Sequence, residues 1–152
     1  MIDESGSIGT RNFDLMKDFM SHLVSRLDVD SGYTRVGIVS FSSSVLTSIN
    51  LNAHTSLAGL QSAINALTYS GGGTNTFLAL EHVRTTMLTS AAGDRSGVPN
   101  VVVVLTDGQS HNTTLTKVSF EFTECFLSHF LWQTIYGNAM ISVTVVNSAC
   151  QS

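Results

Sequence analysis

The chain has 152 residues, 43% of them hydrophobic and 12% charged, with a formal net charge of -4. That composition fits one globular domain with an apolar core and argues against disorder. Its 7 lysines and arginines are scattered and leave no electrostatic footprint for nucleic acid or an anionic membrane, so neither partner is expected.

The opening run Met1-Ile2-Asp3-Glu4-Ser5-Gly6-Ser7 puts one carboxylate and two hydroxyls at alternate positions of a glycine-containing turn, with Glu4 between them facing solvent. No basic region followed by an apolar run precedes it, so a signal peptide is not expected in this chain. Phe13, Met16, Met20, Leu23 and Leu27 then recur at spacings of three and four, which predicts an amphipathic helix of roughly 16 residues. It starts at Thr10 or Asn12 and ends before Ser31-Gly32. His22 falls on its polar side and reads as solvated. Asp28 and Asp30 finish the helix and start a loop, since the further spaced acids and the glycine of a calcium loop are missing.

Tyr33 to Phe41 is β-branched and aromatic, and Ser42-Ser43-Ser44 leads from it into Val45 to Leu51, whose alternation suits a half-exposed edge strand. The two form a hairpin. Leu57, Leu60, Ile64 and Leu67 predict a second helix with Ser56 as its cap. After Gly71-Gly72-Gly73-Thr74, the residues Phe77, Leu80, Val83 and Met87 predict a third. Thr89 to Pro99 is a loop. Val101 to Leu105 is too short and too β-branched for a helix and reads as a strand buried on both faces of a parallel sheet, with Asp107 just past its carboxyl end. The expected class is α/β, a three-layer domain with helices on both faces of the sheet, in which ligands gather at the carboxyl ends of the strands.

From Phe120 onward the character changes, and no charged residue follows Glu124. The uncharged stretch from Phe126 to Val146 has the length of a membrane span, but Ser128, His129, Gln133, Thr134, Asn138, Ser142 and Thr144 make it a poor one, and a span is not favoured. Ile141 to Val146 reads as one more buried strand. Cys125 and Cys150 lack CxxC spacing; a disulfide and two buried thiols both stay open. Asn112-Thr113-Thr114 is a glycosylation sequon, a short pattern that also arises by chance.

Asp3, Ser5, Ser7, Thr74 and Asp107 form a set of oxygen donors that suits one hard divalent cation, Mg2+ first, with Mn2+ or Ca2+ as alternatives. No pair of histidines is spaced for zinc. If three hydroxyls and waters fill most of the shell, only Asp3 and Asp107 offset the charge, and an under-neutralised cation attracts a carboxylate from outside. The expectation is therefore binding of an acidic side chain, not turnover. Against this stand an ordinary capped turn at Asp3, Ser5 and Ser7, and a serine hydrolase using Ser7 with Asp107 and His111. The hydrolase fits poorly, because serine replaces the first glycine of a nucleophile elbow. A phosphate loop at the glycines fails for want of a following Lys-Ser or Lys-Thr pair.

DESGS at Asp3, GGGTNT at Thr74 and VVVVLTDGQS at Asp107 together resemble, in order and spacing, the metal-ion-dependent adhesion site (MIDAS) of von Willebrand factor type A domains, those of matrix collagens and matrilins in particular. The resemblance covers Ile2 to about Lys117. It implies a Rossmann-like fold with a mostly parallel sheet and one antiparallel edge strand, a secreted, extracellular setting, and a protein ligand presenting Asp or Glu, such as collagen or another matrix protein. It also implies that Ser5 and Ser7 hold the metal directly, that Thr74 and Asp107 alternate between direct and water-mediated contact, and that Asp3 acts mainly through water. Only Met1 and Ile2 stand where the family has a buried first strand. Residues 1–119 are thus expected to form an A-type core lacking most of that strand, and 120–152 an atypical, Phe-rich segment. A degenerate A domain making metal-free protein contacts is the remaining alternative.

Overall fold

The computed structural model describes residues 1–107 in full, together with the backbone of three strands within 126–146. The expectations placed on His111, Asn112, Cys125 and Cys150 lie outside the described residues.

The elements run β1 (Ile2–Asp3), α1 (Gly9–Val24), β2 (Ile38–Phe41), β3 (Val45–Ile49), α2 (Leu57–Asn65), α3 (Thr76–His82), β4 (Asn100–Thr106), β5 (Phe126–Leu127), β6 (Gln133–Thr134) and β7 (Met140–Val146). They build one sheet in the order β3-β2-β1-β4-β7-β5, with β6 also paired to β7. The centre is parallel: β1 pairs with β2 on one side and β4 on the other. Because α1 carries the chain from β1 back to the start of β2, the carboxyl ends of these strands lie at one end of the sheet. β3 is the expected antiparallel, half-exposed edge. Beyond β4, β7 and its partners β5 and β6 run antiparallel. Their backbones are extended where a membrane helix was considered.

Alternation along the strands divides the interior in two. Ile2, Ile38 and Leu105 join Phe13, Met16, Leu60 and Ile64 in a core against α1 and α2. Val39, Phe41, Val102 and Val104 join Ala79, Val83 and Met87 in a second core against α3. The outcome is the expected α/β sheet with helices on both faces.

Several local readings shift. α1 has the expected 16 residues but begins at Gly9, with Asn12 bonding back to the Ile8 carbonyl rather than opening the helix. The strand expected from Tyr33 starts only at Ile38, because turn bonds claim the preceding backbone: Thr34 N–H donates to the Asp28 carbonyl and Tyr33 N–H to the Ser31 hydroxyl. Tyr33 is 78% exposed. In β4, Val102, Val104 and Leu105 are buried as expected, whereas Val101 is 57% exposed. The helix after Thr74 turns its buried stripe to Thr76, Ala79, Val83 and Met87 instead of Phe77 and Leu80. A π-helical turn over Val83–Met87, closed by Leu88 N–H to the Val83 carbonyl, ends that helix.

α2 is capped twice. Ser56 accepts from Gly59 N–H at 3.2 Å, and Asp30 reaches across from its loop to accept from Leu57 N–H at 2.8 Å. Asp30→Ala should lower unfolding stability in urea by about 1 kcal/mol, the usual cost of losing a cap. An unchanged midpoint would show that Ser56 alone suffices.

Candidate functional site

Of the sequence-predicted residues, Asp3, Ser5, Ser7 and Asp107 sit at or just past the carboxyl ends of β1 and β4. Asp3 is the last residue of β1, and Asp107 follows directly on β4. Asp3 is completely buried. Its Oδ1 accepts from Ser5 N–H at 2.8 Å, which folds the chain into the opening turn, and its Oδ2 accepts from the Thr106 hydroxyl at 2.8 Å, which ties β1 to the end of β4. The same turn brings the hydroxyls of Ser5 and Ser7 to 3.2 Å from each other. Ser5 is buried and Ser7 exposed, so the pair runs from the interior to the surface.

Burial pushes the Asp3 carboxyl above its ordinary range, since desolvation disfavours the charged form. Hydrogen bonds from Ser5 and Thr106 oppose that rise, and the negative charge of Asp107 adds to it. Two carboxylates whose charges repel, beside a pair of hydroxyls, form a donor set that a divalent cation would neutralise. The residues present fit such an ion.

Thr74 is buried and lies two residues before α3. Its loop is fastened to two neighbours. Gly6 N–H donates to the Gly72 carbonyl at 2.8 Å. On the other side, Gly73 N–H donates to the Ser43 hydroxyl, and Asn75 donates through its backbone to the Ser42 carbonyl and through its side chain to the Ser43 carbonyl, each at 2.8 Å. The loop after β2 therefore holds the loop that carries Thr74. Gly71 and Gly72 have φ of 72° and 106°, a region that disfavours side chains.

Glu4 is not the solvent-facing residue its place in the turn suggested. It is 2% exposed, and its carboxylate accepts from Ser70 N–H at 3.0 Å. Tyr69 donates its hydroxyl to the Ser5 carbonyl at 3.1 Å, while its ring packs on Phe13. Thr106, Tyr69, Ser70 and the Ser42–Ser43 pair were not singled out from sequence. Adjacency to Asp107 was the available signal for Thr106, the serine run before β3 for Ser42 and Ser43, and adjacency to the three glycines for Tyr69 and Ser70. Asp28 and Asp30 bond to Ser31 and Leu57 N–H groups, as loop and cap residues do. His22 is exposed, with its ring against the Asp18 carbonyl.

Kinship agrees with this arrangement. The sequence profile of the von Willebrand factor type A domain matches residues 1–124. The collagen alpha-4(VI) chain of Mus musculus is 40% identical over 112 residues, covering 72% of this chain and 5% of that protein. Matrilin-4 of Homo sapiens is 39% identical over 115 residues, covering 74% of this chain and 18% of that protein. The chain thus spans only a small part of the curated relatives it matches. Among solved structures, proximal thread matrix protein 1 from the mussel byssus, with a zinc-occupied MIDAS motif, is similar at a TM-score of 0.57 and 27% identity, covering 63% of this chain and 26% of that one. These relatives are matrix proteins by name, and among the described residues no helix is long and apolar enough to cross a membrane. By fold, by motif and by descent, the chain belongs to the von Willebrand factor type A domain family.

Proposed function

We infer that the chain is an adhesion module of the extracellular matrix that engages an acidic side chain of a partner protein through a divalent cation, Mg2+ by preference. Asp3, Ser5, Ser7, Thr74 and Asp107 hold the ion, and the A-type body over residues 1–119 carries the adhesive face. The observation that supports this reading is the Ser5–Ser7 hydroxyl pair at 3.2 Å beside the buried Asp3 carboxylate at the end of β1, with Asp107 directly after the neighbouring parallel strand β4. Bound there, the cation would supply positive charge that two carboxylates leave under-neutralised, and a carboxylate from outside would complete the balance. The chain's own residues contribute donors and rigidity: Thr106 holds Asp3, and the Ser42–Ser43 loop holds the segment carrying Thr74. Nothing in this requires bond cleavage, and a hydrolase built on Ser7, Asp107 and His111 gains no support from relatives that are matrix proteins.

Collagen is the first partner to test. The chain should bind immobilised collagen in Mg2+ and lose binding in EDTA, with recovery on adding Mg2+ back. Collagen whose carboxylates have been converted to amides should bind at least about tenfold more weakly, the cost of removing one partner of a desolvated charge contact. Binding equal in EDTA and Mg2+ would favour metal-free protein contacts instead.

A further inference from the structure

The cation site proposed above has two arms that come from distant parts of the sequence, the Asp3–Ser7 turn and the loop carrying Thr74. Four bonds join them. Gly6 N–H reaches the Gly72 carbonyl at 2.8 Å, Tyr69 Oη reaches the Ser5 carbonyl at 3.1 Å and the Gly6 carbonyl at 3.4 Å, and the buried Glu4 carboxylate takes Ser70 N–H at 3.0 Å. The segment between Ser70 and Thr74 is three glycines, two of them at positive φ, so it has no side chains with which to hold itself in place. Burying a carboxylate is costly unless it serves a bond, and Glu4 is 2% exposed yet is not among the five donors. Its bond falls where the pliable glycine segment begins.

We propose that Glu4 and Tyr69 are positioning residues that lock the two arms at a fixed separation, and that this lock makes the site select Mg2+ over Ca2+. The inference rests on the cation reading above. Mg2+ requires near-octahedral donors at about 2.0–2.1 Å, whereas Ca2+ accepts six to eight donors at about 2.3–2.6 Å in adaptable geometry. A cradle that can spread penalises the small ion and spares the large one. With the lock intact, the Ser5 and Ser7 oxygens and the Thr74 oxygen keep the tighter spacing.

The test is calorimetric titration of the chain with MgCl2 and, separately, CaCl2, with thermal melts in the absence of metal as a folding control. Glu4→Ala removes the acceptor for Ser70 N–H, and Tyr69→Phe removes the hydroxyl while keeping the ring on Phe13. Each should weaken Mg2+ about tenfold, the lower end of what groups that orient metal ligands contribute, and change Ca2+ by less than about threefold. Glu4→Gln keeps an acceptor oxygen and should restore the wild-type Mg2+ preference. A merely structural role predicts equal losses for the two ions. That result, or unchanged Mg2+ affinity in both Glu4→Ala and Tyr69→Phe, overturns the lock. If the folded wild type binds neither ion, the cation reading falls and the lock falls with it; if it binds both and the variants lose them in parallel, only the lock falls.

Discussion

Asp107→Ala is expected to weaken Mg2+ binding by more than about a hundredfold, beyond the range for groups that only orient ligands, because it removes one of the two carboxylates that offset the ion. The chain's ability to fold should survive. Asp107 is half-exposed and stands after the last residue of β4, so its side chain is not part of either apolar core. Its charge also raises the Asp3 carboxyl, so the substitution relieves a repulsion in the metal-free protein. Calorimetry should therefore show a flat Mg2+ titration for a variant whose metal-free melting curve remains cooperative. A wild-type titration curve from Asp107→Ala would remove that residue from the site and leave Asp3 as the only charged donor.

What could be read beforehand follows the range of the interactions involved. Asp3, Ser5 and Ser7 lie within one turn, and the bond from Ser5 N–H to Asp3 that shapes it spans two residues, so the triplet was legible locally. The cap at Ser56 and the edge character of β3 were legible for the same reason, since each depends on a residue and its near neighbours. Glu4 was misread because alternation within a turn says nothing about Ser70, which arrives from far along the chain. Tyr33 to Gly37 has strand composition, but Ser31 and Asp28 take the N–H groups of Tyr33 and Thr34 in a turn, and the strand starts only at Ile38. The bond between Thr106 and Asp3, across two strands that touch only in the folded sheet, had no local trace. The order of the three motifs pointed to the family without any of these contacts, whereas the residues that hold Asp3 and the Thr74 loop in place became visible only with the fold.

Asp3→Asn should separate the stability of the domain from its capacity for metal. In the metal-free protein the Asp3 carboxyl titrates above its unfolded value, so folding favours its protonated form. The stability this gives is fully present below the unfolded value, near 3.8, and is lost as pH rises through the higher folded value; at neutral pH the buried charge is a burden. Asparagine has nearly the same shape. Its oxygen can still accept from Ser5 N–H, and its amide can donate to the Thr106 hydroxyl, which turns to accept. Without metal, the variant should melt at or above the wild-type temperature at pH 7, with the advantage shrinking toward pH 4 as the wild-type carboxyl takes up its proton. With Mg2+ at about a hundred times its dissociation constant, the wild type gains about 2.7 kcal/mol, or roughly 5–10 °C for a domain of this size. The variant, short of one carboxylate, should gain little, so the order of the two melting temperatures reverses when metal is added. If Asp3→Asn instead lowers the metal-free melting temperature by several degrees, the carboxylate is a net stabiliser of the empty fold, and the cation is not what justifies burying it.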